Sequence, residues 1–137
     1  MKLPRLFALL FLAGCAHAQN PHDPRYPYAA PQPQEQVIRQ GERSTMSSTQ
    51  GAWHAANCYA QVFTERGGGR LTANVVRDGP DDRWIVNVTE AVQGGAYAAL
   101  IRVAPAASGS NAEMFTTPLT RFGGREGFRR SLAERCR

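Results

Sequence analysis

The 137 residues include only one lysine, three histidines and three cysteines, side chains often used as nucleophiles, metal ligands and proton carriers. His17 and His22 sit near the start, which leaves His54 as the only imidazole in the body of the chain. A nucleophile elbow of the G-x-S-x-G type is missing, as is any Cys-x-x-Cys pair with histidines at metal-ligand spacing. Gly67, Gly68 and Gly69 lack the Lys-Ser/Thr that a phosphate-cradling loop requires, so they read as a connector. Asp78, Asp81 and Asp82 lack the alternating acidic pattern and distal Glu of a calcium loop, and read as a polar turn. Glu65 and Glu90 stand alone, with no second carboxylate assignable beside either. These gaps point away from an enzyme, and neither metal nor cofactor is expected. Charge of one sign is also scarce. Setting aside Lys2 and Arg5, the chain carries 14 basic residues, all Arg, against 11 acidic ones, a net +3. That is too weak a field to argue for a nucleic-acid partner.

What is present is concentrated at the start. Lys2 and Arg5 form a basic region, and Leu6 to Ala13 (LFALLFLA) form an apolar core of eight residues. Eight residues cannot span a bilayer, which needs about 20 in a helix, but they suit a secretory signal peptide. Leu12-Ala13-Gly14-Cys15 follows directly. Here the sequence resembles a bacterial lipoprotein signal with its lipobox. The resemblance covers only these first fifteen residues, and the remainder resembles no family on its motifs. It implies cleavage before Cys15, lipidation of the Cys15 thiol, and residues 1–14 as the removed signal. With Ala16 rather than Asp after the cysteine, it also implies an outer-membrane anchor facing the periplasm. The competing reading is cleavage after Ala16-His17-Ala18, an A-x-A site, which would release a soluble periplasmic or secreted protein.

Residues 15–48 read as the lipidated cysteine followed by a tether. Pro21, Pro24, Pro27, Pro31 and Pro33 fall within thirteen positions, and proline excludes both helix interior and central strand. About 30 such residues reach ~90 Å when extended at ~3.1 Å each. Val37 and Ile38 are the exceptions, suited to a short edge strand. Tyr26 and Tyr28 among the prolines leave room for a docking segment, although an ordinary tether is the simpler reading.

Residues 49–137 read as one small domain. Ala52, Trp53, Ala56, Tyr59, Ala60 and Phe63 recur at three- and four-residue spacing, which predicts an amphipathic helix, capped by Ser48 or Thr49 and ended by the glycine run. Arg70 to Arg77 and Arg83 to Glu90 alternate as strands about an Asp78-Gly79-Pro80-Asp81 turn. Ala96 to Val103 is read as a strand from its flanking turns, although its alanines would also suit a helix. Glu113 to Leu119 is the last candidate strand, with Pro118 confining it to an edge or an end. Phe128, Leu132 and Cys136 then mark one face of a C-terminal helix. The fold class expected is α+β: an N-terminal helix, a small antiparallel sheet of three or four strands and a C-terminal helix, with both helices on one face of the sheet.

If Cys15 takes lipid, Cys58 and Cys136 remain as an even pair, expected to close as a disulfide in an oxidising compartment and to link the two helices. Six arginines crowd the last seventeen residues. Arg125, Arg129 and Arg130 among them form a candidate patch for an anionic partner: lipid headgroups, lipopolysaccharide or an acidic protein surface. The simpler reading is a solvated helix face. Anchor, spacer and stapled domain together lead to a non-catalytic interaction or accessory module of an envelope machine. It would attach to the membrane through its lipid and hold a protein partner. The alternatives are an inhibitor of a secreted enzyme such as lysozyme, acting through the Asp78–Asp82 loop, and a small-ligand or lipid binder near Trp53 and Trp84.

Overall fold

The structure is a computed structural model and describes residues 34–91 and 95–137. The expected signal segment, Cys15 and the proline-rich stretch lie outside the described residues. The chain is α+β, with helices packed on a five-stranded antiparallel sheet. Its elements are α1 (Gln34–Gln40), β1 (Glu42–Ser48), α2 (Ala52–Gly67), β2 (Leu71–Arg77), β3 (Trp84–Glu90), β4 (Ala96–Ala106), β5 (Gly109–Thr116), a 3-10 turn (Thr120–Phe122) and α3 (Gly124–Arg135). Spatial order is β1-β5-β4-β3-β2, so β2 to β5 form a meander and β1 closes its far side.

The 3.6-residue periodicity that predicts the first long helix is realised in α2, but the start differs. Gly51 is the N-cap and no side chain caps the helix. The Ser48 hydroxyl instead accepts the Gln50 N–H, while Ser110 donates its hydroxyl proton to the Gln50 carbonyl. Those bonds fix the corner between β1 and α2, just before the helix begins. At the other end Gly68 adopts a left-handed φ of 57° and returns its N–H to the Glu65 carbonyl, the backbone geometry that glycine adopts without strain.

One sheet face carries Val86, Val88, Ala99, Ile101, Val103, Ala112 and Met114. Against it α2 packs Ala52, Ala55, Ala56, Tyr59, Val62 and Phe63. Next to α2, α3 contributes Phe128 and Leu132, with Phe63 and Phe128 stacked at 4.6 Å between ring centroids. Cys58 on α2 and Cys136, the residue after α3, form a disulfide with Cα atoms 5.7 Å apart. Arg135 pairs with Glu65 across the same helix–helix seam, and this hydrogen bond holds the Glu65 carboxyl below its usual range. The pair favours folding at neutral pH, and its contribution is lost as acid protonates Glu65 through that lowered value.

Several expectations change. The sheet has five strands, not three or four. Residues 34–48 are not all spacer: Glu42–Ser48 pairs residue for residue with β5, from Glu42↔Thr116 to Ser48↔Ser110. Val37 and Ile38 do not form an edge strand. They lie in α1, where Val37 is buried against Leu100 and Phe115 on the opposite sheet face, with Ile38 alongside. The helices therefore occupy both faces. β5 also begins earlier than expected, at Gly109, directly after a two-residue hairpin of Ala107 and Ser108. Pro118 lies beyond the strand, where its missing N–H costs no ladder bond.

A loop of 78 residues closed by the disulfide removes about 4 kcal/mol of unfolded-state entropy in the chain-closure account. The Cys58→Ser/Cys136→Ser double variant is expected to lose most of that in urea unfolding. Unchanged unfolding would mean that the bridge contributes nothing.

Candidate interaction surfaces

The three arginines of the expected patch do not act together. Arg125 opens α3, where its Nε donates to the Thr117 carbonyl at 2.9 Å and its Nη2 to the Thr116 carbonyl at 3.3 Å. Its Nη1 reaches Glu42 on β1 at 2.7 Å. The need for those bonds starts in the sheet. Ala98 has no partner on β3, where the β3–β4 register slips between Val88 and Thr89. Its carbonyl faces β5, one pair beyond Ala99↔Thr116, and accepts both the N–H and the hydroxyl of Thr117. Thr117 thereby turns its own carbonyl outward to Arg125. Arg125 is thus a structural clamp joining β1, the end of β5 and α3, and leaves the patch.

Arg129 and Arg130 remain exposed. Arg129 lies 3.6 Å from Glu126, one turn back on α3. Both line a groove of about 400 Å³ between α3 and β1. Its floor is Tyr59, Met46 and Leu132, and Arg137 joins the rim from the chain end. Burial pushes the Tyr59 hydroxyl above its ordinary pKa, so the floor stays neutral. The groove therefore offers three guanidinium groups against one side-chain carboxylate, Glu126, around a base that includes Met46 and Leu132.

Trp53 and Trp84, expected beside a ligand groove, pack on each other instead, with ring centroids 4.4 Å apart and planes tilted by 55°. Asp82 accepts the Trp84 indole N–H at 2.6 Å, and the Arg77 guanidinium lies 5.9 Å from the Trp84 ring centroid. The Asp78–Asp82 turn therefore has a structural role. It closes on an Asp78 N–H to Arg83 carbonyl bond of 2.9 Å and holds one ring. His54, next to Trp53, is exposed. Among the described residues no three His, Cys, Asp or Glu side chains gather as a metal site would require.

The sheet face that α1 only partly covers bears a groove of about 690 Å³ lined by Arg43, Arg83, Arg102, Thr45, Asp78 and Glu113, among others. Arg43 pairs with Glu113 within it, and Arg102 lies 5.7 Å from the Phe115 ring centroid, so part of its charge is internally matched. Sequence reading misses both grooves because they join residues from strands far apart in the chain. Arg129 and Arg130 signal one rim of the first, and the alternation of Arg43, Thr45 and Ser47, within the expected tether, is the signal for the second.

No protein-family profile, curated protein or solved structure matches the chain.

Replacing Arg125 by alanine leaves two part-buried carbonyls and Glu42 without their partner, at an expected cost of about 1–3 kcal/mol. Arg129→Ala touches only an exposed pair and should stay within about 0.5 kcal/mol of the parent. Chemical denaturation of both variants checks the contrast.

Proposed function

We propose that this chain is a lipid-anchored envelope lipoprotein, held through Cys15 in the outer membrane and facing the periplasm. It acts as a non-catalytic accessory module that binds an acidic surface of an envelope protein. The observation that carries the reading is the groove between α3 and β1, where Arg129, Arg130 and Arg137 surround an apolar floor. Arginine around a desolvated base is the composition that dominates protein–protein hot spots, and the guanidinium fork matches carboxylates in two-point contacts. The Cys58–Cys136 bridge supports the compartment, because a structural disulfide persists where thiols are oxidised. The apolar core and lipobox at residues 6–15 support the route there and the anchor, and the proline-rich stretch supplies the reach.

The parent chain and two variants, expressed in the native envelope, test this. The parent is expected to float with outer membranes, and Cys15→Ala to lose membrane association. Chemical cross-linking of the anchored parent should capture one envelope protein in stoichiometric yield. Arg129→Glu/Arg130→Glu should remain folded and anchored but lose that capture, with the parent's capture weakening as salt rises. Undiminished capture by the charge-reversed variant would contradict the assignment of the groove. Retained flotation of Cys15→Ala would contradict the anchor.

A further inference from the structure

Two large apolar side chains are exposed among the described residues, Trp53 at 44% and Val76 at 39%. They flank the same edge of the sheet, one above it and one below. β2 is the outermost strand on that side. Its seven residues, Leu71-Thr-Ala-Asn-Val-Val-Arg77, pair continuously with β3 without a bulge. The strand contains no proline or lysine, and its only charge is at its last position, so it lacks the usual devices that keep open edges from pairing. The Asp78 N–H and the Arg70 carbonyl both bond inward, to Arg83 and Ala91. By alternation, Leu71, Ala73, Val75 and Arg77 turn their N–H and C=O groups outward.

Above the edge, α2 presents Trp53, Asn57, Ala60 and Thr64 at helical spacings of four, three and four residues. These lie on the flank away from Cys58 and Glu65, the two residues that reach the α3 side. The stripe therefore overhangs β2. Below the edge, Val76 shares its face with Thr72 and Asn74.

We propose that this edge is an interface between two copies of the chain, with β2 pairing antiparallel to β2 of the second copy about a two-fold axis at Asn74. In that register the outward backbone groups of Ala73 and Val75, and of Leu71 and Arg77, meet their complements in the second copy. Arg70 at one end stands opposite Asp78 at the other, twice by symmetry. Registers centred on residue 73 or 75 lose this charge match. Val76 covers Thr72 of the second copy, and Trp53 lies toward the second copy's α2 stripe. The two five-stranded sheets become one of ten strands, and the isologous pairing closes on itself, leaving no open β2 edge. The α3–β1 groove lies at the opposite sheet edge, about 19 Å away across four strand spacings, so the interface leaves it free. The proposal does not depend on what that groove binds.

The test uses the purified full-length chain carrying Cys15→Ser, which removes the one thiol outside the disulfide. Asn74→Cys places a thiol on the two-fold axis, within disulfide reach of its counterpart. Thr72→Cys places one on the same exposed face, but about 14 Å from its counterpart, beyond disulfide reach. Under mild oxidation Asn74→Cys should run mainly as a covalent dimer on a non-reducing gel, and Thr72→Cys should not. Without oxidation, Asp78→Arg should shift sedimentation toward monomer, and Arg70→Asp added to it should restore the dimer. Monomer throughout, equal cross-linking at both positions, or failure of the charge swap to restore the dimer would each overturn the proposal. So would cross-linking of Asn74→Cys only to a different added envelope protein.

Discussion

Everything in this domain hangs on one helix lying flat against one face of a sheet. α2 sets Ala52, Ala55, Ala56, Tyr59, Val62 and Phe63 against the sheet. Apolar burial of this kind is worth about 1.5–3 kcal/mol for each large side chain. Because the chain crosses from β1 at one edge to β2 at the other by way of α2, the helix also fixes the strand order. α3 is subordinate to it. Its Phe128 stacks on Phe63, Arg66 of α2 lies 5.0 Å from the Phe128 ring centroid, and the disulfide ties the end of α3 to Cys58.

The opposite sheet face shows how little more is needed. A seven-residue α1 buries Val37 on Leu100 and Phe115 and leaves the rest of that face open. At the end of the β4–β5 ladder, the Ala98 carbonyl starts a relay through Thr117 and Arg125 to Glu42. The end of the β4–β5 pairing is thus coupled to the placement of both β1 and α3. Gly109 has a similar effect at the far corner. Its φ is 98°, and a Cβ there would meet the Ser48 carbonyl oxygen at 2.0 Å, so only glycine lets the β4–β5 hairpin pass the end of β1.

Where periodicity is strong, the chain is legible from sequence: α2 from its three- and four-residue spacing, β2 and β3 from alternation around Asp78–Asp81, α3 from Phe128, Leu132 and Cys136. β4 is ambiguous for a physical reason. Its first half is buried on both faces, and the Ala98 bulge sets Tyr97 against α1 while Ala99 and Ile101 face α2. Such a strand reads as an unbroken apolar run, as a buried helix does. β1 is invisible because Glu-Arg-Ser-Thr-Met-Ser-Ser lies at an edge and buries mainly Ser48; partners in β5, far along the chain, make it a strand. Arg125 cannot be told from Arg129 and Arg130 by charge or spacing, since only the turn before α3 delivers two carbonyls to it. Cys58 and Cys136 are legible as a pair because two helix stripes facing one sheet bring them close.

That pairing joins the structural account to the proposed function, since the Cys58–Cys136 bridge leaves Cys15 as the one cysteine for the proposed lipid. Peptide mapping by mass spectrometry of the full chain, isolated from the envelope under non-reducing conditions, tests it most directly. The account predicts a linked pair of peptides containing Cys58 and Cys136, and an N-terminal peptide that begins at Cys15 and carries acyl chains. Free thiols at Cys58 and Cys136, or a mature chain beginning at Gln19, would contradict it.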